Sequence, residues 1–131
     1  MNELIDNIFE ILAQELVFPL FYGFAPENAV PPFVVFTIDQ VDTAESQTDR
    51  GTSHLNVDAS IVSIALLVDD LQEVSNSVHK LTSLTGKIFD FGIVDYIKIQ
   101  NCQYKYDVIE GTDQGFHSMF ADVQIFLIRR N

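Results

Sequence analysis

Apolar residues recur every three to four positions in some stretches of the chain and every second position in others. Leu4, Ile5, Ile8, Phe9, Ile11, Leu12 and Leu16 follow the i, i+4, i+8 spacing of one broad helical face. Glu3 and Asp6 suit the positive end of that helix's dipole. Pro19 ends the pattern, because the residue before a proline is pushed toward extended geometry. The next segment, FPLFYGFAPENAVPP, is irregular and rich in aromatics and proline. Its Phe18, Phe21, Tyr22 and Phe24 are too apolar to stand singly in water, so they cap the core or are buried by a partner. Pro31 and Pro32 then open the strand FVVFTIDQV, at a position where proline is tolerated.

A polar stretch, DTAESQTDRGTS (Asp42 to Ser53), follows that strand. It is either a solvated loop or a hairpin tip that reaches a neighbour. The next strand alternates, with Leu55, Val57, Ala59 and Ile61 on one face and His54, Asn56, Asp58 and Ser60 on the other. Beyond Ile61, Val62, Ile64, Leu66 and Val68 join in, which predicts a half covered on both sides. The stripe Leu71, Val74, Val78, Leu81 and Leu84 predicts a second helix. Asp69 or Asp70 is its expected N-cap, Asp70 and Glu73 have the spacing of a capping pair, and Gly86 and Lys87 suit its end.

KIFDFG reads as a connector, and IVDYIKIQNCQYKYDVI as a third strand with a bend or break near Asn101. EGTDQG is a turn. In the last strand, Met119, Ala121, Val123, Ile125 and Leu127 share one face, while Phe116, Phe120, Phe126 and Ile128 lie on the other. The order is helix, strand, strand, helix, strand, strand. It predicts one α+β domain over residues 1–131: an antiparallel or mixed sheet of about four main strands, two helices on one face and a long hairpin loop.

Charge is the most unusual bulk property. The formal net charge is −12, and residues 1–49 hold nine acids with no Lys or Arg. Such a chain is repelled by nucleic acid, because affinity for phosphate needs clustered cations. The longest apolar run, Ile61 to Val68, is far short of a membrane helix, and the start MNELIDNIFE lacks a signal peptide's positive charge. The expectation is a soluble protein made and used in the cytoplasm, with no membrane partner.

Candidate chemistry is sparse. His54, His79, His117 and Cys102 are scattered over different elements, against the close spacing that zinc needs. Cys102 lies in strand-like sequence with no base beside it and reads as a packed or idle thiol. Asp69 and Asp70 are explained by the helix start. No P-loop, dinucleotide fingerprint or nucleophile elbow occurs. The expectation is a protein that is not an enzyme and holds no metal or cofactor.

Element order and texture together carry a resemblance. The first helix, the Pro-aromatic segment, PPFVVFTI, the polar loop, LNVDASIVSIAL, the helix DLQEVSNSVHKL and the closing YDVIEGTDQGFHSMFADVQIFL run from about Leu4 to Ile128. This pattern resembles the tail-terminator and tail-completion proteins of tailed bacteriophages. The resemblance implies a virion protein, made in the bacterial cytoplasm, whose copies form a ring, usually a hexamer, at the head-proximal end of the tail tube. The partners implied are further copies of the chain, the tube protein and the head connector, with DNA passing through unbound. An acidic wall suits that passage. The polar loop then projects toward a neighbour, with Asp42, Glu45, Asp49 and Arg50 as its contact residues, and Phe21 and Tyr22 as aromatic contacts. Two alternatives stay open: another neck or head-closure connector, or a small α+β ligand-binding domain or enzyme with Phe18 to Phe24 lining its pocket.

Overall fold

The computed structural model describes residues 2–44 and 52–130. Helix α1 (Asn2–Ala13) leads to a short strand β1 (Leu20–Tyr22), then β2 (Phe33–Ala44) and β3 (Thr52–Ala65). Helix α2 (Val68–Lys80) runs on into a tight helical turn, Leu81–Leu84, before β4 (Ile88–Phe89), β5 (Gly92–Val108) and β6 (Gly115–Arg130). The strands form one sheet in the order β1-β2-β3-β6-β5-β4, curled into a half-barrel. Among the described residues the sheet therefore has six strands where the sequence predicts about four. The additions are the two outermost, and neither is long enough to display a two-residue period.

β1 lies parallel to β2, and every other neighbouring pair is antiparallel. With β2 taken as running up, β1, β6 and β4 run up while β3 and β5 run down. The sheet has one covered face and one open face. The covered face presents Val34 and Phe36 of β2, Leu55, Val57 and Ile61 of β3, and Val123, Ile125 and Leu127 of β6. Onto it pack Ile8, Ile11 and Leu12 of α1 and Leu71, Val74 and Val78 of α2, all in a single core cluster. Both helical stripes, apart from Phe9 of α1, which is exposed, and the inward set of the last strand thus lie where the sequence places them. An ion pair of 3.6 Å between Glu3 and Arg129 also joins α1 to β6.

Other expectations need correction. The N-cap of α2 is Leu67, with no side-chain hydrogen bond to the helix end, so neither Asp69 nor Asp70 caps it. Both carboxylates fall in the first turn, where the dipole favours them without a cap bond. Asp42 to Ser53 is not all loop: β2 continues to Ala44 and β3 begins at Thr52, because ladder bonds come from the backbone and are indifferent to polar side chains. On the open face, Val62 and Ile64 are only half-buried, so that end of β3 is not covered on both sides. Cys102 is exposed, which removes the packed alternative of its packed-or-idle reading. The predicted break in the third strand is real. The β5–β6 register shifts between Gln100 and Gln103, where Asn101 takes a left-handed φ of 55°.

Candidate functional site

The features that remain after the core is accounted for lie at the two edges of the sheet. β1 covers the outer side of β2 only along Val34–Phe36. From Thr37 to Ala44 that side of β2 has no strand partner among the described residues. On the other side, β4 covers Gly92 and Ile93 of β5, and Val94 exchanges backbone bonds with Gly86 and Lys87. From Asp95 to Val108 the outer side of β5 has no strand partner among the described residues. An unpaired strand edge is a row of free N–H and C=O groups ready to take another chain.

Both edges carry aromatic side chains. At the β1 edge, Phe21 meets Phe33 edge-on at 6.1 Å and Tyr22 meets Phe36 at 5.1 Å. Beside them Phe24 and Val30 are 78% and 75% exposed, which leaves apolar surface in water at this edge. At the β5 edge, Tyr104 and Tyr106 bracket His117, with the Tyr104 hydroxyl 2.6 Å from its Nδ1 and the Tyr106 ring 4.8 Å from its ring. Tyr104, Tyr106, Val108 and Ile109 all remain exposed there.

The open face between the edges is polar and acidic in its middle. Ser60 hydrogen-bonds the Asp39 carboxylate and lies 3.5 Å from Asp122, while Thr37 donates to Asp39 at 3.1 Å and Asn101 donates to Asp122 at 2.8 Å. One oxygen of Asp58 is buried without a partner in the same band. A cavity of about 280 Å³ opens farther up, lined by Asp42, His54, Asn56, Asp95 and Phe126 among others. It lies away from the Phe18 to Phe24 segment that the sequence offers as a pocket lining. Among the described residues no three His, Cys, Asp or Glu side chains group as a metal site, and no helix is long and apolar enough to cross a membrane.

The residues singled out from the sequence divide cleanly. Phe21 and Tyr22 lie on β1 and Asp42 lies on the free stretch of β2, so the fold gathers these three onto one edge. Asp42 is exposed and accepts a hydrogen bond of 3.2 Å from Gln40. Glu45, Asp49 and Arg50 lie outside the described residues. The opposite edge, with Tyr104 and Tyr106, is missing from the sequence reading. Its available signal is the stretch from Asn101 to Val108, where inward-facing aliphatic residues stop although the strand continues.

No family model matches the chain, and no curated protein matches it. Among solved structures, the chain is similar to a chain of the virion of a native gene transfer agent particle. The match has a TM-score of 0.49 and 12% identity and covers 82% of this chain and 78% of that one. Similarity of that degree identifies neither a family nor a partner.

Proposed function

We propose that this chain is a structural subunit of a phage-type virion, a tail terminator or tail-completion protein. Its copies form a hexameric ring on the head-proximal end of the tail tube, stop tube growth and join the tube to the head connector. The observation that carries this reading is the pair of unlike open edges at opposite ends of one sheet. Contact between unlike edges is heterologous, and heterologous contacts generate rings when the rotation closes. The order of elements along the chain, read against the resemblance, points the same way.

In such a ring the helices face outward and the open face lines the lumen. Asp39, Asp58 and Asp122 then stand along the path of the DNA, where carboxylates gain nothing from phosphate and leave it free to slide. The Asp42 end of the β2–β3 hairpin and the Ile109 end of the β5–β6 hairpin form the two rims, one toward the tube and one toward the head.

Native mass spectrometry over a range of protein concentrations tests the proposal. The expected result is a closed hexamer that forms without any ligand. A strict monomer at every concentration, taking up small molecules in the cavity between Asp42 and Asp95, would overturn the ring and favour a ligand-binding domain instead.

A further inference from the structure

The two edges of the sheet are stepped, and the steps are complementary. Rungs of the ladder set heights across the sheet. Phe21, Val35, Val62, Phe120 and Gln103 share one rung, and Leu20, Val34, Ser63, Met119 and Tyr104 share the next one down. The rung of Tyr22 meets β5 at its bulge, level with Asn101 and Cys102. β1 therefore protrudes from one side at the height where β5, on the other side, has no outer neighbour. The opposite step matches too. β4 protrudes at the height of Ala44, in the stretch of β2 that lacks an outer neighbour.

We propose that copies of this chain join head to tail by strand addition, the free edge of β1 in one copy pairing with β5 of the next along Tyr104 to Asn101. This rests on the ring reading above and assigns the surfaces that build the ring. Direction favours the joint. β1 runs up and β5 runs down, so a second copy brought alongside without inversion lays β1 antiparallel to β5, the stronger of the two ladder types.

Side chains favour it as well. Tyr22 arrives on the same face as Tyr104, as its diagonal neighbour, so the exposed rings of Tyr22 and Tyr104 cover one another. Phe21 falls on the other face, opposite Gln103. Charge favours this pairing over two like acidic edges. Residues 1–49, which build α1, β1 and β2, hold nine acids and no Lys or Arg, while the β4–β5 side balances Lys87, Lys98 and Lys105 against Asp90, Asp95 and Asp107. A second copy is therefore the occupant that fits the step, the strand direction and the rings together.

Cys102 supplies a native reporter, because it sits at the height of Tyr22 on the opposite edge. Within one copy the two positions are four strand spacings apart along the sheet, about 19 Å, beyond the reach of a disulfide. Tyr22→Cys under mild oxidation is expected to give a ladder of covalent oligomers ending at the mass of the ring. Adding Cys102→Ser should abolish the ladder.

Tyr22 packs on Phe36, so a second pair guards against simple misfolding: Phe21→Cys with Gln103→Cys in the Cys102→Ser background, which should link on the same rung. If native mass spectrometry finds the ring but neither pair links, the joint is wrong and the ring reading stands. If the protein is a strict monomer and neither pair links, both fall. Efficient Cys102–Cys102 dimers of the unmodified chain would mean that β5 pairs with itself about a two-fold axis, which also overturns the joint.

Discussion

Phe36→Ala is expected to lower the stability of the folded chain by about 3–5 kcal/mol, the usual cost of emptying a large aromatic site in a core. Phe36 is fully buried and is the largest side chain with no exposure at all. Its ring lies 6.2 Å from Phe9 of α1 and 5.1 Å from Tyr22 of β1, so one side chain ties the helix, the edge strand and the sheet together. Domains of this size are stable by only about 5–15 kcal/mol, so the loss is a large fraction of the whole. Phe36→Leu keeps most of the volume and should cost about 1.5 kcal/mol or less. Urea unfolding followed by far-UV circular dichroism measures both, since the chain has no tryptophan to report by fluorescence. An alanine variant with an unchanged midpoint would mean that this ring does not anchor α1. Because Tyr22 leans on the same ring, the variant should also assemble poorly where it still folds.

Gly92→Ala should be nearly as damaging, at about 3 kcal/mol, from a different cause. Gly92 opens β5 with a φ of +154°, and a Cβ added there would drive into the carbonyl oxygen of Ile128 while standing 3.0 Å from the Cα of Arg129. Both obstacles are backbone of β6, which cannot step aside without opening the ladder that holds Val94 against Leu127. Rare backbone geometry costs about 1–3 kcal/mol and overpacking about as much again. Gly86 provides the comparison. Its φ is +85°, but nothing lies within 4 Å of an added Cβ. Gly86→Ala therefore carries the backbone penalty alone, about 1–2 kcal/mol. Equal unfolding midpoints for the two alanine variants would show that the approach of β6 to Gly92 costs nothing.

Much of this fold is legible in the sequence where side-chain period reports burial. The stripe of α1 apart from Phe9, the stripe of α2 and the alternate residues from Met119 to Leu127 face the core because their spacing leaves no other way to bury them. Period fails where pairing is decided by backbone alone. β1 and β4 have three and two residues, too few for alternation to show. Asp42 and Thr43 extend β2 although nothing apolar requires it. The start of α2 misleads for a related reason: Asp69 and Asp70 have cap chemistry, but the helix begins at Val68, before either could cap it.

The candidate interface divides the same way. Phe21 and Tyr22 stand out in the sequence because apolar rings in an irregular segment need a cover. The β5 edge stays hidden there, because an open edge is a property of what lies beside a strand rather than of its own residues.

The strand order has a further consequence for how the chain comes together. The centre of the sheet is the β3–β6 pair, which joins residues 52–65 to residues 117–130 across α2, β4 and β5. Neither β2–β3 nor β4–β5 has its inner neighbour until β6 is available, so two partial hairpins must wait with their inner sides unpaired. Pairings of such long sequence separation form slowly, on the order of milliseconds to seconds, since chain entropy is lost before contacts compensate it. During that wait the nascent protein shows more open strand edge than the finished one does. A chain built to join its neighbours by such edges is then most prone to join them in the wrong place, and one acidic along its first third is protected by self-repulsion while its last strand is still being made.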